Sequence, residues 1–171
     1  LGSTKPATRS ATSCWAEVQP PALKVNVVGT ANVVRACVEC GVQVLVSTST
    51  SNVSVAKTLV HENMDETSPC VDAKSSPNHY GWTKVQAEKL VRCANGSELP
   101  DGRRLATGAI RPCSGVFGPE DKFITERMMR YGHIILFLAR CRIDFTYVEN
   151  VVWGHFLLEK QLWEKPQRVG G

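Results

Sequence analysis

The chain has no apolar run approaching the ~20 residues that a helix needs to cross a bilayer. The longest, "IILFLA" from Ile134 to Ala139, suits a buried strand. Net charge of either sign is small as well. Lys and Arg number 20 against 16 Asp and Glu, a net +4, and the only adjacent basic pair is Arg103–Arg104. Scattered positive charge argues against a nucleic-acid groove. No signal-peptide pattern opens the sequence, which begins with Leu1. No internal repeat is visible. The seven cysteines are odd in number and irregular in spacing, which speaks against a disulfide framework and for a reducing compartment. Cys37 and Cys40 form a lone "CVEC" without a second pair at metal-site spacing, and read as two small thiols on a helix. What is present, 43% hydrophobic and 21% charged residues over 171 positions, is the composition of one ordinary globular domain.

Residues Leu1 to Lys24 are rich in Ser, Thr, Ala and Pro without apolar period and predict an irregular lead-in. In "VNVVGTANVVRACVECG", Val27, Ala31, Val34 and Val38 recur at helical spacing and Gly41 is a natural stop. "VQVLVSTST" then predicts a buried strand breaking into a Ser/Thr loop. A polar stretch from Lys57 to Ser75 predicts surface loop. Ser76 and Pro77 predict the N-cap and first residue of a helix whose apolar side is Ala87, Leu90, Val91 and Ala94. "LATGAIRP" is a second short strand. Beyond it, "KFITERMMRYG" predicts a short helix, with Ile124, Met128 and Tyr131 on one face. "IILFL" and "IDFTYV" look like strands. "ENVVWGHFLLEKQLWEK" predicts a last helix with Val151, Val152, His155, Leu158 and Leu162 inward. Helices alternating with strands predict an α/β fold with a parallel sheet covered on both faces, and ligands in such sheets gather at the strands' carboxyl ends. "STST" and "RPCSGVFGP" stand just past two such ends.

Between those strands lies "HYGWTKVQAEK", with Tyr80 and Lys84 one helical turn apart on one face. An ammonium at that distance favours the ionised form of a phenol. A pair of this kind, with a hydroxyl from the "STST" loop beside it, can move a proton on or off a carbinol. Taken alone, the spacing is more often that of an ordinary solvated helix face. The conjunction of segments carries more.

In order, "VNVVGTANVVRAC", "VLVSTSTSNV", "YGWTK", "AIRPCSGVFGP" and "DFTYVENVVWGH" make the chain from Val25 to Gly171 resemble the 3β-hydroxysteroid dehydrogenase family of the extended short-chain dehydrogenase/reductase superfamily. That resemblance implies a Rossmann-like doubly wound parallel sheet and NAD or NADP as cofactor. It implies Tyr80 as the general acid/base and Lys84 as the residue that charges it and grips the nicotinamide ribose. Ser49 takes the position that orients the substrate oxygen, with Thr50 as the fallback. Asn26 supports the lysine through a water. Pro112 and Cys113 lie against the nicotinamide, and Tyr147 and Asn150 help close the substrate side. A steroid or sterol is the implied substrate, including the branch that decarboxylates a 4α-carboxylate. Nucleotide-sugar epimerases share the same trio, and a catalytically inactive piece acting by association is a further alternative. Association with the endoplasmic reticulum membrane, facing the cytoplasm, is implied for the parent protein only.

The family's glycine-rich phosphate turn is missing from the sequence, and with it the acidic residue that selects between the two cofactors. Ser47 stands where an aromatic is common, and "LARCRID" lacks the usual glycine turn. The expectation is a partial fold without its N-terminal βαβ units. Residues 25–118 would form a partial dinucleotide-binding domain, and residues 119–171 would begin the substrate side. Such a chain alone should bind dinucleotide poorly; titration with NADH checks this, and saturable micromolar binding would refute it.

Overall fold

Two strands joined through a helix set out the frame on which the polar segments meet. The computed structural model describes residues 21–57, 62–113, 115–122, 126, 130 and 144–171. Helical structure opens with α1 (Pro21–Leu23), passes through a π-helical stretch, Lys24–Val28, and continues as α2 (Gly29–Glu39). Order therefore begins before Val25, where an irregular lead-in was predicted; Leu1–Pro20 lie outside the described residues. Pro21 suits a first helical position because the N–H it lacks would have no partner there. The helix ends as predicted at Gly41, whose φ of +70° few other residues adopt. Val42 N–H bonds back to Cys37 C=O and Gly41 N–H to Val38 C=O, which satisfies the last carbonyls. Cys37 and Cys40 are free thiols at this helix end.

Strand β1 (Val44–Thr48) pairs in parallel with β2 (Ala106–Ile110), Val44 opposite Ala106 and Thr48 opposite Ile110. The crossover between them holds a 3₁₀ turn, Ser51–Val53, a polar loop, and helix α3 (His79–Cys93). The start of α3 corrects the sequence expectation. Asn78, not Ser76, is the N-cap, accepting Gly81 N–H through its side chain. Ser76 instead donates its hydroxyl to the Asn78 carbonyl. Both residues are good caps; the loop geometry chooses the later one.

The sheet is covered on both faces, as alternation along β2 shows. Thr107 points to α3, donating its hydroxyl to Val91 C=O. Gly108, next in line, faces the other way, where an added Cβ would stand 3.0 Å from Leu158. Leu158 belongs to α4 (Val148–Glu164), so α3 and α4 sandwich the strands. A second parallel pair, β3 (Gly115–Phe117) with β4 (Phe145–Tyr147), leads into α4, and α5 (Pro166–Val169) follows it. The strand predicted at "IILFL" falls outside the described residues, as does most of "KFITERMMRYG".

Small aliphatic clusters hold these layers. Ala94, Leu99 and Leu105 pack with Val34, Val38 and Leu45, and Val53, Val71 and Val85 pack under the crossover loop. On α4, Leu162 is buried as predicted but Val152 is exposed. Trp153, Phe156, Leu157 and Trp163 are exposed with it. No described helix is long and apolar enough to cross a membrane.

Candidate active site

The backbone pairing of β1 and β2 runs on past the strands themselves. Ser49 N–H bonds Ile110 C=O at 2.7 Å and Ser51 N–H bonds Pro112 C=O at 2.8 Å. The "STST" and "RPC" segments therefore lie side by side, at the carboxyl ends where ligands of parallel sheets bind.

Helix α3 leans its first turns against this edge. Gly81 permits it: a Cβ there would stand 2.8 Å from the Asn52 carbonyl oxygen, closer than any side chain tolerates. The Lys84 ammonium reaches the last residue of β1 and donates to Thr48 C=O at 2.6 Å. Partial burial pulls the Lys84 pKa down from its ordinary value, and the Glu88 carboxylate one turn on partly offsets this. Tyr80, one turn the other way, is exposed at 44%.

Asn26 comes from the π-helical stretch. Its amide donates to Thr83 Oγ1 at 3.0 Å, and the Thr83 hydroxyl donates to Tyr80 C=O. It thus braces the backbone between Tyr80 and Lys84. A π-turn at such a residue fits the habit of these turns to mark functional positions.

The two hydroxyls of the loop point in different directions, as neighbours on extended chain must. Ser49 is buried and donates to Glu88 Oε2 at 2.6 Å. Thr50 Oγ1 accepts Asn52 N–H at 3.3 Å and caps the 3₁₀ turn, which leaves the threonine proton to donate. Thr48 Oγ1 lies 2.7 Å from His155 Nε2. His155 Nδ1 lies 2.7 Å from Val151 C=O, which can only accept; Nδ1 therefore carries a proton, and in the neutral ring Nε2 accepts from Thr48.

Glu88 is the best-anchored charge in the region. Its oxygens take the Arg111 guanidinium at 2.6–3.2 Å as well as the Ser49 hydroxyl. Burial pushes the Glu88 carboxyl up, but the hydrogen bonds from Arg111 and Ser49 and the charges of Arg111 and Arg92 bring it below its ordinary value. Arg111 also reaches Glu66 C=O and Cys70 Sγ in the crossover loop. Sequence reading passed over Glu88, Arg111, Thr83 and Gly81, and named His155 only as an inward residue of the last helix. Glu88 was within reach, since Tyr80, Lys84 and Glu88 stand at four-residue steps on one face.

Pro112 lies in the paired segment, and Cys113 Sγ is 2.7 Å from Thr146 Oγ1 on β4. Tyr147 stacks on Phe117 with centroids 5.6 Å apart, tilted by 53°. Asn150 is exposed in the first turn of α4. A cleft of about 440 Å³ opens beside the strand ends, with Ser51, Ser54, Met64, Arg111 and Cys113 among its walls.

The family model described as 3-beta hydroxysteroid dehydrogenase/isomerase family matches residues 8–170, nearly the whole chain. The chain belongs to that family. The match begins upstream of Val25, so part of the Ser/Pro-rich lead-in falls within it. Among relatives of the family, bovine (Bos taurus) short-chain dehydrogenase/reductase family 42E member 1 is 37% identical over 145 residues, 81% of this chain and 36% of that protein. Human (Homo sapiens) sterol-4-alpha-carboxylate 3-dehydrogenase, decarboxylating, is 35% identical over 156 residues, 86% of this chain and 39% of that protein. A solved structure, MoeE5 in complex with UDP-glucose and NAD, superposes with a TM-score of 0.64 at 28% identity, over 86% of this chain and 46% of its own. UDP-galactose 4-epimerase gives 0.62 at 21% identity, a likeness of fold. The fold is thus a partial Rossmann-like α/β sheet. The chain spans less than half the length of each of these proteins.

Proposed function

We propose that the protein to which this chain contributes oxidises a secondary 3β-hydroxyl on a steroid or sterol with NAD or NADP. The observation that carries this is the Lys84 ammonium held against the carboxyl end of β1, one turn from a solvent-facing Tyr80. A phenolate stabilised by an ammonium one turn away can accept a carbinol proton.

The residues present fit the nicotinamide-ribose end of a dinucleotide. Lys84 and Tyr80 stand beside the paired "STST" and "RPC" segments, where Pro112 and Cys113 would flank the ring. Bound there, the cofactor supplies a hydride acceptor. The chain's own part is proton handling and orientation. Tyr80 takes the hydroxyl proton, Lys84 stabilises the phenolate and holds the ribose, and Asn26 keeps Tyr80 and Lys84 in register through Thr83. The resemblance gives the substrate oxygen to Ser49. With the Ser49 hydroxyl committed to Glu88, the role passes to Thr50, buried as well but with its hydroxyl proton left to donate. Tyr147 and Asn150, on and after β4, are assigned to the substrate side.

A nucleotide sugar is the second reading, supported by the likeness to MoeE5 in complex with UDP-glucose and NAD. The intact protein, assayed for NADH formation with 3β-hydroxysterols, their 4α-carboxylates and nucleotide sugars, separates the two. Turnover of a 3β-hydroxysterol is expected; turnover of a nucleotide sugar alone would overturn the sterol assignment.

A further inference from the structure

We infer that Glu88 is a positioning residue for this reaction, locking the loop that bears Thr50 and the helix that bears Tyr80 and Lys84 to the same point. The inference rests on the dehydrogenase reading above. Glu88 is 6% exposed and binds two separate pieces of chain besides its own helix. Ser49, one residue before Thr50, donates to it at 2.6 Å. Arg111, one residue before Pro112, holds it through both terminal and inner nitrogens and ties in the crossover loop at Glu66 and Cys70. The carboxylate is thus the meeting point of both strand ends and the catalytic helix.

This divides the two loop hydroxyls by task. Both are buried: Ser49 is bound to Glu88 and fixes the loop, while Thr50 accepts only Asn52 N–H and keeps its hydroxyl proton for the substrate oxygen. It also gives Lys84 a fixed anion on its own helix face. Charged or titratable groups around the pair are Tyr80 and Arg92 on α3, Arg111 after β2, and Cys70 in the loop; His155 of α4 reaches the Thr48 hydroxyl. Asn26, from the helix alongside, carries no charge.

Removing an anion favours deprotonation of a neighbouring ammonium. Glu88→Gln in the intact protein should therefore lower kcat about tenfold or more, and should move the alkaline limb of the kcat–pH profile to lower pH. A role confined to fold stability would lower the amount of active protein and leave that limb where it is. Glu88→Asp, which keeps the charge, should return the limb towards its original position. Should Glu88→Gln fail to fold, Ser49→Ala decides, since it spares the ion pair. A kcat reduced severalfold, but less than in Thr50→Ala, with KM for the dinucleotide unchanged supports the inference; a kcat equal to the parent's, or a loss larger than that of Thr50→Ala, overturns it. An unmoved alkaline limb in folded Glu88→Gln overturns it too. The unaltered protein assayed alongside keeps the two levels apart: if it does not oxidise a 3β-hydroxysterol, the parent reading fails, whatever Glu88 does.

Discussion

Helix α3 is a different environment at each end of one face. At Glu88 the face is buried, and its carboxylate is held by a guanidinium and a hydroxyl from two other segments. Two turns earlier, at Tyr80, the same face stands in solvent. Lys84 lies between, half-buried and bonded to the strand end. The gradient teaches how one helix face can divide anchoring from exposure. Rigidity is built at the inner end from groups whose charges are satisfied by the protein, and the outer end, to which the proposed function assigns the proton transfer, is left open to solvent. A phenol anchored as firmly as Glu88 could not exchange partners during a reaction.

Perturbing the inner end should cost folding, and perturbing the outer end should not. Arg111→Ala leaves Glu88 as a buried carboxylate without its cation and should destabilise by about 3–5 kcal/mol, read from denaturant midpoints. The pH dependence sharpens this. The Glu88 carboxyl is held below its ordinary value, so its contribution is complete above the ordinary carboxylate range and is lost as pH falls through the depressed value. The stability gap between the parent protein and Glu88→Gln should narrow toward acid pH; a gap constant with pH contradicts the assignment.

Next in size is Gly81→Ala, whose new methyl must push back the Asn52 carbonyl, at a cost of about 1–3 kcal/mol. A thermal melt unchanged by it would mean that the close approach of α3 to the Thr50 turn is not needed. Thr107→Val, inside the sheet, removes the hydroxyl bond to Val91 C=O and should cost about 1 kcal/mol by the same measurement. Smallest is Tyr80→Phe. At an exposed position it should change stability by less than about 0.5 kcal/mol; a large loss would show Tyr80 to be a structural residue, and the contrast between the two ends would disappear.

Much of the frame was legible because it rests on local signals. Gly41 ends α2, a Val-rich run makes β1, a short apolar run stopped by Pro112 makes β2, and the four-residue step puts Tyr80 and Lys84 on one face. What escaped depends on approach in three dimensions. That Ser49 bonds Glu88 while Thr50, equally buried, caps the following turn is decided by the phase of the strand end, which a loop written "STST" does not reveal. Asn78 displaced Ser76 as cap because the crossover loop bends once more before the helix. Val152 was assigned inward from helical spacing, but only the stripe of α4 carrying Leu158 and Leu162 meets the sheet. Gly81 carried a readable clue, since glycine inside a helix is unfavourable unless something needs the space. Glu88 and Arg111 lie 23 positions apart, and no periodicity links them.

The proposal that Tyr80 is the proton-accepting group is tested most directly by turnover. In the intact protein, Tyr80→Phe should reduce the kcat for 3β-hydroxysterol oxidation by about a hundredfold or more while its melting temperature stays that of the parent. A variant that turns over at the parent's rate would contradict the account.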